Sequence, residues 1–572
     1  MLYEFDEAII RENEKADARP GRPEAALYRK RWNELDALAD PWKNLWREVN
    51  EYVLPWSGRF LHSSRDAAEV RRGQNVHNSV TYNAIHTAAS GLHGGLTSPS
   101  RPWFELSHPD EEKMEVTEVR AWIHTVQNRQ RQVLAQSNFY AAVQDLYYEA
   151  LAYGQGVTLM ERDTGVGVVR FRTLTCGEYR LACGADLRID TVYRRLTMTA
   201  PHMESAFGRE VLPEAVRQAL DDKRLDRTFV VIQAIQPWGM CDNSYSARWQ
   251  YESVYFLERG DAPLVLARRG YRSKPFVAVR WGAIGDDVYG YSPGQMALAD
   301  IRQLQTQERA YVNSVNWIAD PAWLVSDSMK DRLARGEIRP GAIVGANPQE
   351  AQHLFRPLMR PQFDFANIRL KIQDVESRIQ QTFYNPLFLM VHTRTSSMTA
   401  TEVTQLVEEK ASVLGPVLER FQAELFDPVL ERVFNIMAED FGMIPPPPAD
   451  LAGAVLRIDY TSMLAQAQKQ AGLSGMTHFL ALAGEITARF PDAALKINPD
   501  EAIDQLAYID NIPPKVVRSD DEVAKIREAR RLEAERVEGM RSVERMAAVA
   551  KNLGNTPVGE GNLAETVLST LS

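Results

Sequence analysis

The sequence predicts an α+β fold that is predominantly helical, and three observations carry that reading. Apolar residues recur at three- and four-residue steps in the N-terminal part and again beyond Pro293. Between Val157 and about Arg280 this period gives way to short β-branched and aromatic runs, GVGVVRFRTL, TFVVIQAIQ, YESVYFLER and KPFVAVRW. Apolar residues make up 45% of the 572-residue chain and charged residues 25%, the balance of an ordinary globular protein. A chain of this length predicts roughly three to four domain-sized units.

Taken in order, the residues up to about Pro55 read as helix, with Leu27, Leu35, Leu38, Trp42, Leu45, Trp46, Val49 and Val53 on the face to be buried. Pro55 and Gly58 end it. Tyr82 to Leu92 and Val116 to Tyr153 read as further helices, separated by the turn-rich GGLTSPSRPW, Gly94 to Trp103. The strand region follows, as part of a mixed α/β domain, with Gly165-Val166-Gly167 read as a hairpin turn. Past Pro293, Ala297, Ile301, Leu304, Tyr311 and Val315 line one helix face, interrupted by Glu308. Ile368, Ile372, Val375, Ile379 and Phe383 line a second. Between them, Ile318 to Pro361 contains expected strands at Ala322–Val325 and Ala342–Val344 and a turn at Arg339–Gly341.

Asn385 to Met398 has no clear helical period and reads as a loop. Thr399 and Glu402 then form a capping box, whose side chains satisfy the free amides of a new helix. That helix could run to Phe441, roughly 60 Å at the helical rise. Gly415-Pro416 and Pro428 should kink it, because proline removes a backbone donor and clashes with the preceding turn. Four prolines, Pro445 to Pro448, close the region. A strand-like VLRIDY comes next, then helices near Gly475–Phe490 and Pro499–Tyr508. Ser519 and Glu522 make a second capping box before a highly charged helix, Asp520 to about Leu553. The final residues look loosely ordered, and no internal repeat is found.

Function classes are narrowed by what the sequence contains. With 66 basic and 76 acidic residues the net charge is −10, so a grip on nucleic acid must be local or weak. Cys176, Cys183 and Cys241 are too few and too irregular for a disulfide framework or a CxxC metal site. The N-terminus lacks the features of a signal peptide, and no apolar run approaches the ~20 residues of a membrane span. A soluble protein made inside a cell is expected. No GxxxxGK[ST] loop or HExxH occurs, and His86 and His93, seven residues apart, have Gly91 between them and no suitably spaced carboxylate. Neither a metal nor a cofactor is expected. Gly290-Tyr291-Ser292-Pro293-Gly294 matches the GxSxG elbow of α/β-hydrolases. There the residue after serine donates its backbone N–H to the oxyanion, and Pro293 has none. Ser292 is better read as an N-cap with Pro293 at the first helical position, and no catalytic residue is expected. The competing classes are a serine hydrolase using Ser292 and a helical structural protein that forms no ring.

The stretches Asn78–Leu106 (NSVTYNAIHTAASGLHGGLTSPSRPWFEL), Ser137–Tyr140, Tyr148–Gly156, Ser396–Phe434 and EAIDQLAYIDNIPPKVVRSDDEV, in this order and spacing, resemble the head-to-tail connecting (portal) protein family of podoviruses. The resemblance covers most of the chain. It implies the phage portal fold, with wing, stem, clip and crown regions in a dodecameric ring around a DNA channel. On that plan residues 1–290 are wing, 291–317 the first stem helix, 318–362 the clip and 363–384 the second stem helix. Residues 385–398 are the tunnel loop, 399–442 a long kinked wing helix, 443–518 the C-terminal wing and crown base, and 519–572 the crown helix and tail.

The implied function is a conduit at one capsid vertex of the virion, assembled in the host bacterial cytoplasm and used in packaging and ejection. Its implied partners are further copies of the chain, weakly and non-specifically held double-stranded DNA, the large terminase subunit, tail adaptor proteins, and the major capsid and scaffolding proteins, with no membrane. Candidate DNA contacts are the tunnel-loop residues His392, Thr393, Arg394, Thr395, Ser396 and Ser397. Channel-facing stem candidates are Arg302, Gln305, Arg309, Arg369, Asp374 and Arg378. Lys330, Arg332, Arg335 and Arg339 are the candidates for docking partners on the clip. Each stem helix holds equal numbers of acids and bases, which suits a conduit, since every phosphate contact adds affinity.

Overall fold

The structure, a computed structural model, describes residues 25–319 apart from short gaps, 323–325, 355–357, 364–390, most of 414–461, scattered positions between 482 and 498, and 520–554. The chain divides into two compact units, residues 1–473 and 474–572.

Among the described residues the first unit opens with α1 (Ala25–Leu38) and α2 (Asp40–Tyr52). The single helix expected here breaks at Ala39 because Pro41, with no N–H to give, sits in the first turn of α2. Next come α3 (Val80–Leu96), β1 (Phe104–Ser107), α4 (Thr117–Gln136) and α5 (Phe139–Tyr153). The helix expected to run from Val116 to Tyr153 is interrupted at Ser137-Asn138. Asn138 spends both ends of its amide on the backbone of Phe171, donating to its carbonyl at 2.7 Å and accepting from its N–H at 2.9 Å. A side chain that competes for backbone partners in this way favours a break over a helix interior.

Each of the four quoted runs contains a strand. They are four of the strands of this region, which run β2 (Gln155–Arg162), β3 (Val169–Leu174), β4 (Tyr179–Cys183), β5 (Ile189–Thr199), β6 (Thr228–Pro237), β7 (Tyr251–Leu257), β8 (Ala267–Tyr271) and β9 (Phe276–Arg280). Helices α6 (Ala200–Phe207) and α7 (Glu214–Asp221) interrupt them. All pairings are antiparallel, in a three-stranded sheet β3-β2-β9 and a five-stranded sheet β4-β5-β6-β7-β8. Alternation divides the larger sheet between two cores. Ile232, Ala234, Val254 and Phe256 meet Tyr28, Trp32 and Leu35 of α1, whereas Val231, Tyr255 and Leu257 meet Met203 of α6 and Val216 of α7.

The largest core joins α2–α5, the small sheet and the helices beyond Pro293. Toward the C-terminus, residues 414–421 are α-helical, and the turn preceding Gly415-Pro416 lies outside the described residues. A disturbance falls in the turn before Pro428, as a π-turn at Gln422–Phe426 followed by α11 (Asp427–Asn435) and a second π-turn, Ile436–Asp440. The expected strand VLRIDY supplies β12 (Arg457–Tyr460), which pairs with β1 in the register Phe104↔Tyr460. In the second unit the charged helix, α12, spans Asp520–Gly554 and starts where its capping box predicts. Of the helix expected near 475–490, the described positions 482–484, 486 and 489 are helical, whereas the helix expected near 499–508 and the capping box Thr399–Glu402 lie outside the described residues.

Candidate functional site

The region singled out by the sequence is the helix pair around residues 318–362. Its base is built on the GYSPG motif. Ser292 Oγ accepts from the Gln295 N–H at 3.0 Å and donates to the Ala152 carbonyl at 2.8 Å. Gln295 Nε2 donates to the Tyr153 carbonyl at 2.8 Å, and the Trp281 N–H to that of Gly154 at 2.9 Å. The last carbonyls of α5, which no intrahelical donor reaches, are thus satisfied by the residues that launch the next helix. The backbones meet closely here: a Cβ on Gly154, already at φ +86°, would lie 2.2 Å from the Gly290 carbonyl oxygen. The N-cap reading of Ser292 holds. The hydrolase reading finds no support, because Ser292 is fully buried and its hydroxyl is engaged on both sides.

From this base rises α8 (Leu298–Ala319), and α9 (Phe365–Thr382) returns beside it. Asp300 pairs with Arg378 at 3.0 Å near the base, and the Tyr311 and Phe365 rings meet edge-on at 5.6 Å further along, so the helices run antiparallel. At the far end β10 (Trp323–Val325) pairs antiparallel with β11 (Phe355–Pro357). Helix, strand, strand, helix is therefore the order along the described residues. The expected strand at Ala342–Val344 lies outside them, and β11 was not anticipated because its three residues end in proline, a strand breaker by rule.

The candidate residues fall into distinct environments. Arg302 is exposed and pairs with Glu48 at 3.2 Å. Arg309, seven residues on, is exposed on the same face of α8. On α9, Arg369, Asp374 and Arg378 are all exposed; Asp374 and Arg378 share a face that Arg369, five residues from Asp374, does not. Gln305 must be corrected. It is 3% exposed and turned into the protein, where Oε1 accepts from the N–H groups of His77 (2.6 Å) and Asn78 (2.9 Å) and Nε2 donates to the Asn78 carbonyl at 2.9 Å. A polar residue on an amphipathic helix is expected to face the channel, whereas here it satisfies a buried backbone segment.

Asn78 itself went unmarked. Its Nδ2 donates to Glu376 Oε1 at 2.8 Å and its Oδ1 accepts from the Val80 N–H at 2.8 Å, so one side chain touches both α9 and the start of α3. The only sequence signal was its place at the head of the NSVTYNAIH stretch.

The loop expected from Asn385 begins instead with a short helix, α10 (Asn385–Met390). Tyr384, left-handed at φ +58°, turns the chain from α9 into it. Leu387 and Phe388 are buried, and the Phe388 ring lies so close over Gly91 of α3 that a Cβ there would meet its Cδ1 at 2.2 Å. This contact explains the helix, which its own six residues could not sustain alone. His392, Thr393, Arg394, Thr395, Ser396 and Ser397 lie outside the described residues, as do Lys330, Arg332, Arg335 and Arg339. Among the described residues no cluster of potential metal ligands occurs, and no helix is long and apolar enough to cross a membrane.

The model of the family described as "Bacteriophage head to tail connecting protein" matches residues 25–517. The "Probable portal protein" of Bordetella phage BPP-1 is 32% identical over 552 residues, 96% of this chain and 99% of its own. The "Portal protein" of Salmonella phage epsilon15 is 31% identical over 520 residues, 90% of this chain and 92% of its own. A chain from the solved virion of a native gene transfer agent particle aligns over 80% of this chain and 98% of its own, at 12% identity and a TM-score of 0.33. On the family match and the two phage relatives, the chain belongs to the bacteriophage head-to-tail connecting, or portal, protein family, a structural component of the phage virion.

Proposed function

We propose that this chain forms a closed ring, of twelve subunits by the family's implication, that conducts double-stranded DNA through one capsid vertex during packaging and ejection. The observation that carries the reading is the uncovered upper part of α8. Its inward face begins with Ile301, Leu304 and Gln305, all buried against the rest of the unit. Val312 and Val315 continue that face within about 40° at the helical period, yet they are 48% and 40% exposed. An apolar stripe that outruns its own support needs a neighbour, and a closed cyclic arrangement of copies supplies one to every subunit.

In this ring the β10–β11 end, with Lys330, Arg332, Arg335 and Arg339, docks the large terminase subunit and then a tail adaptor. The wing meets capsid and scaffolding proteins, and the segment after α10 lines the channel. The test is assembly. Purified protein is expected to show central-holed rings in negative stain, and the double variant Val312→Asp, Val315→Asp to run as monomer with an unchanged circular dichroism spectrum. Rings that survive both charges would remove the support for this reading. Deleting Ser326 to Gly345 should leave rings intact and abolish terminase-dependent packaging, and normal packaging by that deletion would remove the docking assignment.

A further inference from the structure

We propose that Asn78 is a positioning residue for the α8–α9 pair, and that α3 carries a change in the position of that pair to α10. The two contact points lie on one rigid element. At the start of α3, Asn78 joins three helices: its backbone N–H and carbonyl meet Gln305 of α8, its Nδ2 meets Glu376 of α9, and its Oδ1 meets the Val80 N–H. Thirteen residues later, roughly 20 Å along the helix, Gly91 receives the Phe388 ring of α10. Between these points α3 packs on α9, on α10 and on α5. Ala84, Ile85, Ala88, Ala89 and Leu92 are fully buried along its length, so α3 cannot tilt at one end without moving at the other. A close-packed element of this kind shifts as a body.

Such a link makes the coupling reciprocal: a disturbance at either contact must appear at the other. The inference concerns one subunit and stands whether or not rings form. It is tested by hydrogen–deuterium exchange on the full-length protein. Asn78→Asp keeps the acceptor for Val80 but sets a carboxylate against Glu376. The expected result is exchange at residues 385–390 faster by roughly fivefold or more, with β5–β7 unchanged. Adding Glu376→Gln to that variant restores a donor and acceptor pair with reversed polarity and should return residues 385–390 to parental exchange. Gly91→Ala should in turn accelerate exchange at residues 372–379. If Asn78→Asp does not fold, Glu376→Ala, which leaves the start of α3 intact, carries the same expectation. Effects confined to the neighbourhood of each substitution, or no rescue by Glu376→Gln, would overturn the proposal.

Discussion

Glu149 on α5 shows how much a single buried group can set. Its carboxylate accepts from the Ser57 hydroxyl and, at 2.8 Å, from the Cys176 N–H, so it holds the turn after α2 against the turn between β3 and β4. Asn50 braces the same turn by donating to the Leu54 and Ser57 carbonyls. Burial, aided by the charges of Glu178 and Asp145, pushes the Glu149 pKa up to about 8. Folded protein therefore binds a proton here that unfolded chain releases near the ordinary glutamate value, and stability from this group falls as pH rises between about 4.5 and 8. Glu149→Gln removes the titration, so its melting temperature relative to the parent should climb from pH 5 to pH 8 and level off above. A difference independent of pH would show that Glu149 carries no such penalty. Ser292 offers a second test, since Ser292→Ala loses an N-cap and a buried hydrogen bond, a cost of about 1–3 kcal/mol. It should lower the melting temperature, and an unchanged melt would argue against a structural role for these two hydrogen bonds. Its role was legible because Ser-Pro at a helix start is a local signal. Gln305 and Asn78 were not legible, because Gln305 satisfies backbone, and Asn78 a carboxylate, more than two hundred residues away in sequence.

Among the elements, the π-turn at Gln422–Phe426 shows tertiary packing deciding the form that a local rule takes. Pro428 signalled a kink, but where the chain yields depends on what its side chains must reach. Phe421 stacks on Tyr147 and meets Trp281 edge-on, whereas Phe426 packs on Trp103 and Tyr460. Glu424, between them, accepts from the Arg280 N–H at 2.8 Å and pairs with its guanidinium at 2.6 Å. Five residues of α-helix leave two side chains about 140° apart; the wider i→i+5 turn brings Phe421 and Phe426 toward one face. Sequence periodicity showed the helices and strands because each period is local. The β1–β12 pairing and this turn required knowing which distant partners meet. Phe421→Ala should remove the ring that the turn presents to Tyr147 and Trp281. The expected loss is about 3–5 kcal/mol, the scale of removing a buried aromatic. It would be read as a lowered melting temperature, and a Phe421→Ala variant that melts like the parent would sink this account of the turn.

At the scale of the whole molecule, the balance of charge decides whether a conduit holds its cargo or lets it pass. The chain carries a net charge of −10, and twelve copies around a duplex would repel phosphate wherever no cation stands in the path. On α8, Arg302 is already paired with Glu48, and on α9, Arg378 with Asp300, so these guanidinium groups are partly neutralised by their own subunit. Of the residues expected to reach the channel after α10, Arg394 is the only charged one between Asn385 and Met398. A ring of such arginines would meet the backbone without reading sequence. Its contribution must fade with ionic strength, since the contact is electrostatic and exposed. Arg394→Ala should therefore leave ring assembly unchanged while shifting packaging or retention of full-length DNA at low salt, with the difference from the parent shrinking as salt rises. An effect of equal size at low and high salt would assign Arg394 to holding the protein together, and no effect at either would remove it from the channel's contacts with DNA.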